Sequence, residues 1–188
     1  MIRRNVPLTK PLAIIGSGRS GTLYTTLLLR RLGIDVGHEQ PGRDGIVSGW
    51  IVPTVDPETS VVLHQVRNPL LVIPSTCRAL ESSWRRVREW VPLPERPLLL
   101  RALHVWVLWN EIAQRKARWT YRIEDITSAL PRLCDEIGIK RVPMPPMPAR
   151  MHASKVPPSV VTWEQLMYLD VAMTMRAQTM AASYGYPA

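Results

Sequence analysis

Short apolar runs alternate along the chain with segments in which apolar residues recur every three or four positions. A continuous apolar or β-branched run that ends abruptly in glycine or polar residues is typical of a buried strand, and the longer recurrence is typical of a helix. Because strands and helices alternate, we expect an α/β fold with three layers, in which a mostly parallel central sheet is flanked by helices. The pattern predicts strands within 12–16, 34–39, 60–69 and 118–125, and helices at 20–32, 70–88, 98–115, 127–137 and 162–184.

Proline and glycine interrupt this pattern at three places. The stretch 38–57 is rich in glycine, proline and aspartate and predicts an ordered loop or lid. Pro74 either kinks the helix predicted at 70–88 or marks its true beginning. The stretch 142–158 contains six prolines and predicts a segment that wraps over the surface of a single domain, residues 1–188.

The composition indicates a globular protein with an anionic partner. The chain has 188 residues, of which 46% are hydrophobic, and this is enough for the core of one ordinary domain. The formal net charge is +9 and the pI is about 10.2, which favours nucleic acid, anionic lipid or a small polyanion as partner. Aromatic residues are not interleaved with the basic clusters as they are in single-strand binders, so nucleic acid is the less favoured partner.

Cysteine usage and the lengths of the apolar runs give expectations about location. Cys77 and Cys134 lie outside any Cys-x-x-Cys or Cys/His array, so they predict reduced thiols and no metal site. No apolar run reaches membrane-spanning length, and the N-terminal stretch lacks the apolar segment of a signal peptide. We therefore expect a cytoplasmic protein without a membrane span, while the oligomeric state stays open.

The stretch GSGRSGT, residues 16–22, lies between the first predicted strand and the first predicted helix. Its glycines have the spacing of a nucleotide-binding P-loop, G-x-x-x-x-G, but Thr22 stands where that loop carries lysine, and Arg19 lies inside the loop. Such a loop directs backbone N–H groups and the positive end of a helix at an anion. It predicts phosphate binding without the lysine and magnesium that handle a transferring γ-phosphate. The predicted binding residues are Gly16, Ser17, Gly18, Arg19, Ser20, Gly21 and Thr22.

A second motif, RNP, follows the strand predicted within 60–69. Arg67 offers a rigid fork of N–H donors for a phosphate, and Pro69 ends the strand and fixes the turn. Ser75 follows Arg67 by eight positions, on the next predicted helix, and adds a hydroxyl donor. Ligands of parallel sheets bind beyond the carboxyl ends of the strands, so we expect both motifs at the same edge of the sheet.

Together, the two motifs resemble the phosphate-binding loops of the sulfotransferases that use 3′-phosphoadenosine 5′-phosphosulfate (PAPS). In that family the first loop binds the 5′-phosphosulfate, and its basic residue, here Arg19, faces the sulfuryl group; the second loop, here Arg67, Asn68 and Ser75, binds the 3′-phosphate. The resemblance implies a P-loop NTPase-like fold, PAPS as the donor, adenosine 3′,5′-bisphosphate as the product and no required metal. The stretches GIDVGHEQPGRDGIVSGW, YRIEDI and TWEQL are also similar to small bacterial or phage-type members.

Sulfuryl transfer to a hydroxyl or amine requires a base for the acceptor and positive charge near the leaving oxygen. Arg19 is the predicted source of the positive charge. The resemblance favours Glu39 as the base, and the adjacent His38, which titrates near neutrality, is the second candidate. A hydrogen bond that fixes its loop is the alternative role for Glu39. His64 is a third candidate, with a buried structural histidine as the alternative.

Further residues are candidates for contacts with the acceptor. Arg43, Asp44 and Trp50 lie in the 38–57 stretch, where a pocket for a small molecule or carbohydrate is expected, and the Trp50 ring offers a stacking surface for adenine or a sugar. Glu124 and Asp125 follow a predicted strand and either cap the next helix or orient the site. The identity of the acceptor stays open.

The chain departs from the family in its second half. It is short, it has no clear counterpart of the catalytic histidine, and it lacks the basic segment that contacts the 3′-phosphate, for which Arg150 or Lys155 is the candidate substitute. Donor binding is therefore better supported than turnover. Two other functions stay open: a P-loop nucleoside or nucleotide kinase, and a non-catalytic basic module that binds nucleic acid or a partner protein.

Overall fold

The computed structural model describes residues 8–147 and 160–187. Within these ranges the chain forms five strands and seven α-helices. The strands are β1 (Leu12–Ile15), β2 (Val36–His38), β3 (Gly45–Ser48), β4 (Val61–Val66) and β5 (Trp119–Arg122), and the helices are α1 (Thr22–Arg31), α2 (Pro69–Thr76), α3 (Glu81–Arg88), α4 (Leu98–Lys116), α5 (Ile126–Glu136), α6 (Trp163–Leu169) and α7 (Val171–Ser183).

All five strands are parallel and form one sheet in the order β2-β3-β1-β4-β5. The chain builds β2 and β3 on one side of β1 and then crosses over to build β4 and β5 on the other side. The direction of the strand order therefore reverses between β1 and β4. Ligands of parallel sheets bind beyond the carboxyl ends of the strands at such a point, and both predicted phosphate motifs follow these two strands.

Helices cover both faces of the sheet, because successive side chains of each strand point to opposite faces. Leu12 and Ile14 of β1 belong to the apolar core formed with α1 and α5. Ala13 and Ile15 belong to the core on the other face, formed with α2, α4, α6 and α7. The predicted α/β architecture, a parallel sheet flanked by helices, is confirmed.

The prediction of a loop over all of 38–57 is wrong at β3. The four residues of β3 lie between β1 and β2 and pair with both. Gly45 begins the strand with a φ of 138°, and a Cβ atom there would lie 1.9 Å from the Leu12 carbonyl oxygen, so the first position of β3 requires glycine. A strand of four residues is too short to show a recognisable pattern of apolar and polar positions. Its hydrogen bonds to β1 and β2 are what make it a strand.

The helix predicted at 70–88 is two helices, α2 and α3. Pro74 lies inside α2 without ending it, although proline has no N–H to donate to the Leu70 carbonyl one turn earlier. The Val161 N–H donates to that carbonyl oxygen instead, at 3.3 Å. A distant segment of the chain therefore compensates for the hydrogen bond that Pro74 removes.

The helix predicted at 162–184 is also divided, into α6 and α7. Thr162 and Gln165 form a reciprocal capping box at the start of α6. Asp170 has an extended backbone between the helices, and its carboxylate accepts a hydrogen bond from the Met173 N–H at 2.9 Å. Asp170 therefore ends α6 with an extended backbone and caps the start of α7, so the two are separate helices.

The structure bears in part on the proline-rich stretch 142–158 and on the expectation that no helix spans a membrane. Of the stretch 142–158, residues 148–158 lie outside the described residues, and so do Arg150 and Lys155. Residues 142–147 have no regular secondary structure and place Met144 against the core beside α1 and α5. Within the described ranges, every helix is too short or too polar to cross a bilayer.

Candidate functional site

The loop of residues 16–22 joins β1 to α1 at the carboxyl edge of the sheet. Two of its glycines are required by close packing. A Cβ atom on Gly16 would lie 2.2 Å from the Gln65 carbonyl oxygen, and one on Gly18 would lie 2.1 Å from the Trp50 ring. The loop is therefore held against β4 on one side and beneath a tryptophan on the other, in a conformation that only glycines allow at these points.

The interior of this loop has the features of an anion site. α1 begins at Thr22, so the positive end of a ten-residue helix faces the loop. The side chain of Ser20 is fully buried, and its hydroxyl has no hydrogen-bond partner among the described residues. A buried hydroxyl without a partner is costly, and an anion held by the loop would satisfy it.

Gln65 of β4 fixes the loop from the face covered by α1 and α5. Its amide nitrogen donates to the Ser20 carbonyl oxygen at 2.8 Å. Its amide oxygen accepts from the Thr25 hydroxyl at 2.5 Å and from the Tyr121 hydroxyl at 2.9 Å. All hydrogen bonds of this fully buried amide therefore serve to hold the loop, the first turn of α1 and β5 in one arrangement.

His64, the neighbouring residue of β4, points to the opposite face and acts there in the same way. Its Nε2 lies 3.0 Å from Asn110 Oδ1 of α4, and its Nδ1 lies 3.1 Å from the Thr120 hydroxyl. The same Asn110 oxygen accepts from the Ser17 N–H of the loop at 3.3 Å. Burial lowers the pKa of His64 to about 4, and the side chain has no exposed surface. His64 is therefore a buried structural histidine, which was the alternative, and its candidacy as a base is wrong.

The RNP turn after β4 is fixed by a second set of hydrogen bonds. The Asn68 side chain accepts from the Leu70 N–H at 2.9 Å and caps α2, which begins at Pro69. The Glu124 carboxylate accepts from the Asn68 N–H at 3.1 Å and from the Tyr186 hydroxyl at 2.7 Å. Glu124 thus orients the turn that carries the second phosphate motif, and it does not cap a helix.

The two motifs meet through their arginines. Arg19 Nε donates to the Ser75 hydroxyl at 3.1 Å, and Arg67 Nη1 donates to the Arg19 carbonyl oxygen at 3.4 Å. The pKa of Arg19 is lowered, first by partial burial and then by the charges of Arg78 and Arg67. None of the three arginines forms an ion pair with a carboxylate among the described residues. Three positive charges therefore converge without local compensation.

A cleft of about 280 Å³ opens beside Arg19 and Arg67. His38 lines its opposite side, where His38 Nε2 lies 3.1 Å from the Thr22 hydroxyl and 3.7 Å from Glu39 Oε1. Burial lowers the pKa of His38, and Glu39 raises it by a smaller amount, so the ring is predominantly neutral at pH 7. The residues that line the cleft are Arg19, Gly21, Thr22, Leu23, Tyr24, His38, Glu39, Trp50, Arg67 and Ser75.

Glu39 is held in place at the edge of the cleft. Its carboxylate accepts hydrogen bonds from the Ser48 hydroxyl and from the Gly49 N–H, the latter at 3.0 Å. The loop-fixing role that was the alternative for Glu39 is thus present. Each carboxylate oxygen retains a lone pair, and the side chain also lines the cleft, so this role does not exclude a second one as a base.

The backbone is strained at two cleft residues. Arg19 has a φ of 72° and Glu39 a φ of 58°, and they are the two non-glycine residues with positive φ in the described part of the chain. This left-handed conformation costs an ordinary residue about 1–2 kcal/mol. Strained backbone conformations persist only where the surrounding structure enforces them, and such positions cluster at active sites and ligand-binding sites.

Trp50 closes the loop from above. Its ring lies against Gly18, and a Cβ atom on Gly49 would lie 2.7 Å from the Gly18 Cα atom. Trp109 of α4 holds this segment by donating its Nε1–H to the Gly49 carbonyl oxygen at 2.9 Å. Trp50 therefore lines the cleft as predicted, with part of its ring occupied by packing.

Three predicted residues lie elsewhere. Arg43 and Asp44 pair with each other at 2.8 Å just before β3, and the Asp44 carbonyl oxygen accepts from the Leu12 N–H at the start of β1. They lie at the amino edge of the sheet, opposite the cleft, so their prediction as acceptor-binding residues is wrong. Asp125 accepts from Arg122 at 2.5 Å and does not cap α5 through its side chain.

Three residues of the site were not predicted. Gln65 is a polar residue inside an otherwise apolar strand, and this interruption was the available signal. Arg78 follows Ser75 by three positions, just past the end of α2, and its charge lowers the pKa of Arg19. Asn110 carried no signal, because it lies in the middle of a long helix and reaches the loop only through the fold.

The protein was also compared with known proteins. No protein-family model matches the chain, and no curated protein matches it with significant similarity. The interpretation of the cleft therefore depends on its own geometry and chemistry.

Proposed function

We propose that the protein is a PAPS-dependent sulfotransferase with a P-loop NTPase-like fold, which transfers a sulfuryl group to a hydroxyl or amine of a small molecule or carbohydrate. The observation that carries this proposal is the meeting of Arg19, Arg67 and Ser75 at the crevice between β1 and β4, with no carboxylate paired to either arginine in the described residues. Like charges repel at short range, and a polyanionic ligand removes that cost.

The residues fit a ligand with two separate anionic groups. The loop N–H groups, the unpartnered Ser20 hydroxyl and Arg19 bind the 5′-phosphosulfate. Arg67 and Ser75 bind the 3′-phosphate, and Arg78 adds charge at the same place. Because Arg19 and Ser75 share a hydrogen bond, the two sets lie close enough for one nucleotide to contact both.

In the proposed reaction one set of cleft residues acts as the base and another stabilises the leaving group. PAPS supplies the sulfuryl group. Glu39 or His38 accepts the proton of the acceptor hydroxyl as its oxygen forms a bond to sulfur. Arg19 and the loop N–H groups stabilise the charge that grows on the phosphate oxygen as its bond to sulfur breaks. Adenosine 3′,5′-bisphosphate leaves with that electron pair.

The geometry around Thr22 favours this reaction over phosphoryl transfer. In a P-loop kinase a lysine stands at this position, and the next residue supplies the hydroxyl that contacts magnesium. Here Thr22 replaces the lysine, Leu23 replaces the hydroxyl residue, and the Thr22 hydroxyl lies 3.1 Å from His38 Nε2. Turnover is expected without magnesium. Magnesium-dependent consumption of ATP with a small acceptor would instead assign the protein to the kinases.

Titration calorimetry with adenosine 3′,5′-bisphosphate and with AMP tests the donor site. We expect the bisphosphate to bind more tightly, because AMP lacks the 3′-phosphate that Arg67 contacts. Equal affinities would remove the case for a 3′-phosphate site and, with it, the proposed donor.

The variant Arg67→Ala tests the assignment of the second motif. We expect it to lose about 1.5–3 kcal/mol of bisphosphate affinity, the contribution of a charged hydrogen bond, and to leave AMP affinity nearly unchanged. The control is Arg115→Ala, which removes the same charge from an exposed position at the far end of α4. An equal loss in both variants would indicate a general effect of net charge.

A further inference from the structure

The segment that follows α2 exposes apolar and basic side chains side by side. Leu80, Trp90 and Leu98 are 74%, 51% and 46% exposed, and exposed apolar side chains grouped in one segment mark interaction sites where single ones do not. Arg85 and Arg86 point to solvent from α3 between them. We call the surface formed by Leu80, Arg85, Arg86, Trp90 and Leu98 the α3 surface.

These residues are close in space as well as in sequence. α3 has eight residues and is therefore about 12 Å long, with Leu80 at its start and Trp90 just past its end. The guanidinium of Arg101 lies 5.5 Å from the centre of the Trp84 ring, and Trp84 is the buried anchor of α3. Arg101 belongs to the first turn of α4, which Leu98 begins, so this contact joins the start of α4 to α3.

The charge around the α3 surface is strongly positive. Between residues 78 and 101 the chain carries six arginines and three glutamates. One glutamate, Glu81, is paired with Arg88 at 2.7 Å, and Glu89 and Glu95 are the other two. Arg85 and Arg86 form no ion pair among the described residues, so their charges are available to a partner.

We propose that the α3 surface docks on an anionic lipid bilayer. Exposed leucines and a tryptophan between arginines match the two layers of a membrane interface, since the apolar groups enter the acyl boundary and the guanidinium groups contact the headgroups. A nucleic acid or polysaccharide would use the arginines but gain little from Leu80 and Leu98. The inference depends on the surface and not on the proposed function.

Co-sedimentation of the full chain with vesicles tests the proposal. We expect binding to vesicles of phosphatidylcholine that contain phosphatidylserine, and little binding to phosphatidylcholine alone. Raising the salt from about 0.1 M to about 1 M shortens the screening length from about 10 Å to about 3 Å and is expected to release most of the protein. Equal binding to both kinds of vesicle, or none to either, would overturn the proposal.

Paired variants separate this surface from the general positive charge of the protein. Arg85→Gln combined with Arg86→Gln is expected to weaken vesicle binding about thirty-fold, since each basic residue near an anionic surface contributes roughly five- to sixfold. The control, Arg115→Gln with Arg118→Gln, makes the same change in net charge at exposed positions elsewhere and is expected to change binding little. Equal weakening by both pairs would show non-specific attraction and contradict the proposal.

The apolar part of the surface has its own control. Trp90→Ala is expected to weaken vesicle binding several-fold, and Tyr168→Ala, at a 91% exposed position on α6, is expected to leave it unchanged. If duplex DNA competes with the vesicles and Trp90→Ala binds them as tightly as the wild type, the surface binds polyanions in general and the proposal is wrong. Bisphosphate affinity is measured on the same variants and is expected to stay constant, so failure of either proposal is recognised separately.

Discussion

Arg19 provides a charge for ligand binding, but its backbone conformation lowers the stability of the fold. Its guanidinium contacts Ser75 in the cleft, but its φ of 72° lies in the region that favours glycine. A glycine there would relax the backbone and remove the charge. The sequence identified Arg19 from its position in the loop, whereas the strain depends on how β4 and Trp50 hold that loop.

A pair of substitutions measures this strain. Arg19→Gly is expected to be about 1 kcal/mol more stable than Arg19→Ala, because alanine keeps the unfavourable left-handed conformation. At Arg86, inside α3, the order is expected to reverse, since glycine destabilises a helix relative to alanine. Chemical denaturation gives the four free energies of unfolding. An alanine variant at position 19 as stable as the glycine variant would mean that the loop is not strained.

The choice between His38 and Glu39 as base is made by the pH dependence of turnover. The pKa of His38 lies below its ordinary value of 6.5 because of burial, and a base must be deprotonated. If His38 is the base, kcat/KM is constant at neutral pH and falls only when the pH drops below 6.5. His38→Gln then removes turnover, while Glu39→Gln retains part of it.

The reverse outcome assigns the base to Glu39. In that case Glu39→Gln abolishes turnover, and His38→Gln keeps both turnover and the acid limb of the profile. Bisphosphate affinity serves as the control in both variants, because neither side chain is expected to contact the 3′-phosphate. If both variants retain full turnover, neither His38 nor Glu39 is the base.

At the scale of elements, β4 is the part of the fold that organises the site. Its consecutive residues His64 and Gln65 point to opposite faces of the sheet, and each is tied to the loop after β1, through Asn110 on one face and directly to Ser20 on the other. The loop is thereby fixed from both sides. Two polar residues within an apolar strand are costly to bury, and the hydrogen bonds made by both ring nitrogens of His64 and by both the amide oxygen and the amide nitrogen of Gln65 explain how the strand tolerates them.

Two variants separate the positioning role of Gln65 from its contribution to stability. Gln65→Leu removes the hydrogen bond to the Ser20 carbonyl, whereas Tyr121→Phe removes only the bond between Tyr121 and Gln65. Each is expected to lower the free energy of unfolding by about 1–3 kcal/mol. Only Gln65→Leu is expected to weaken bisphosphate binding as well. Equal affinities in the two variants would show that Gln65 is purely structural.

At the scale of the whole molecule, buried polar groups make stability depend on pH. His64 has a pKa of about 4 in the fold against 6.5 when exposed, so the unfolded chain binds a proton that the folded chain does not between these values. Stability is therefore complete above pH 6.5 and falls as the pH drops toward 4. The loss is expected to approach about 3 kcal/mol.

Denaturation across this pH range checks the expectation. The wild type is expected to lose stability steadily from pH 6.5 to 4, and His64→Gln is expected to show a much flatter dependence. His104→Gln is the control, because His104 is only partly buried and should leave the slope in place. A slope that His64→Gln does not change would locate the titrating group elsewhere.

The sequence by itself determined the features whose signals are local. Strands β1, β4 and β5, helices α1, α4 and α5, the loop after β1 and the Arg67 motif were all predicted, since periodicity, strand ends and glycine spacing involve residues that are neighbours in the chain. The predicted association of the two motifs at one edge follows from the same signals, because parallel strands bring their carboxyl ends together.

Only the tertiary structure decided the features that depend on distant partners. β3 is a strand because β1 and β2 supply its hydrogen bonds, and its place in the sheet puts Arg43 and Asp44 at the edge opposite the cleft. Pro74 stays inside a helix because Val161 supplies the missing donor. Asn110 and Gln65 hold the loop after β1 because α4 and β4, which are distant from it in the sequence, pack against it, and no local pattern shows which residue a buried polar side chain will contact.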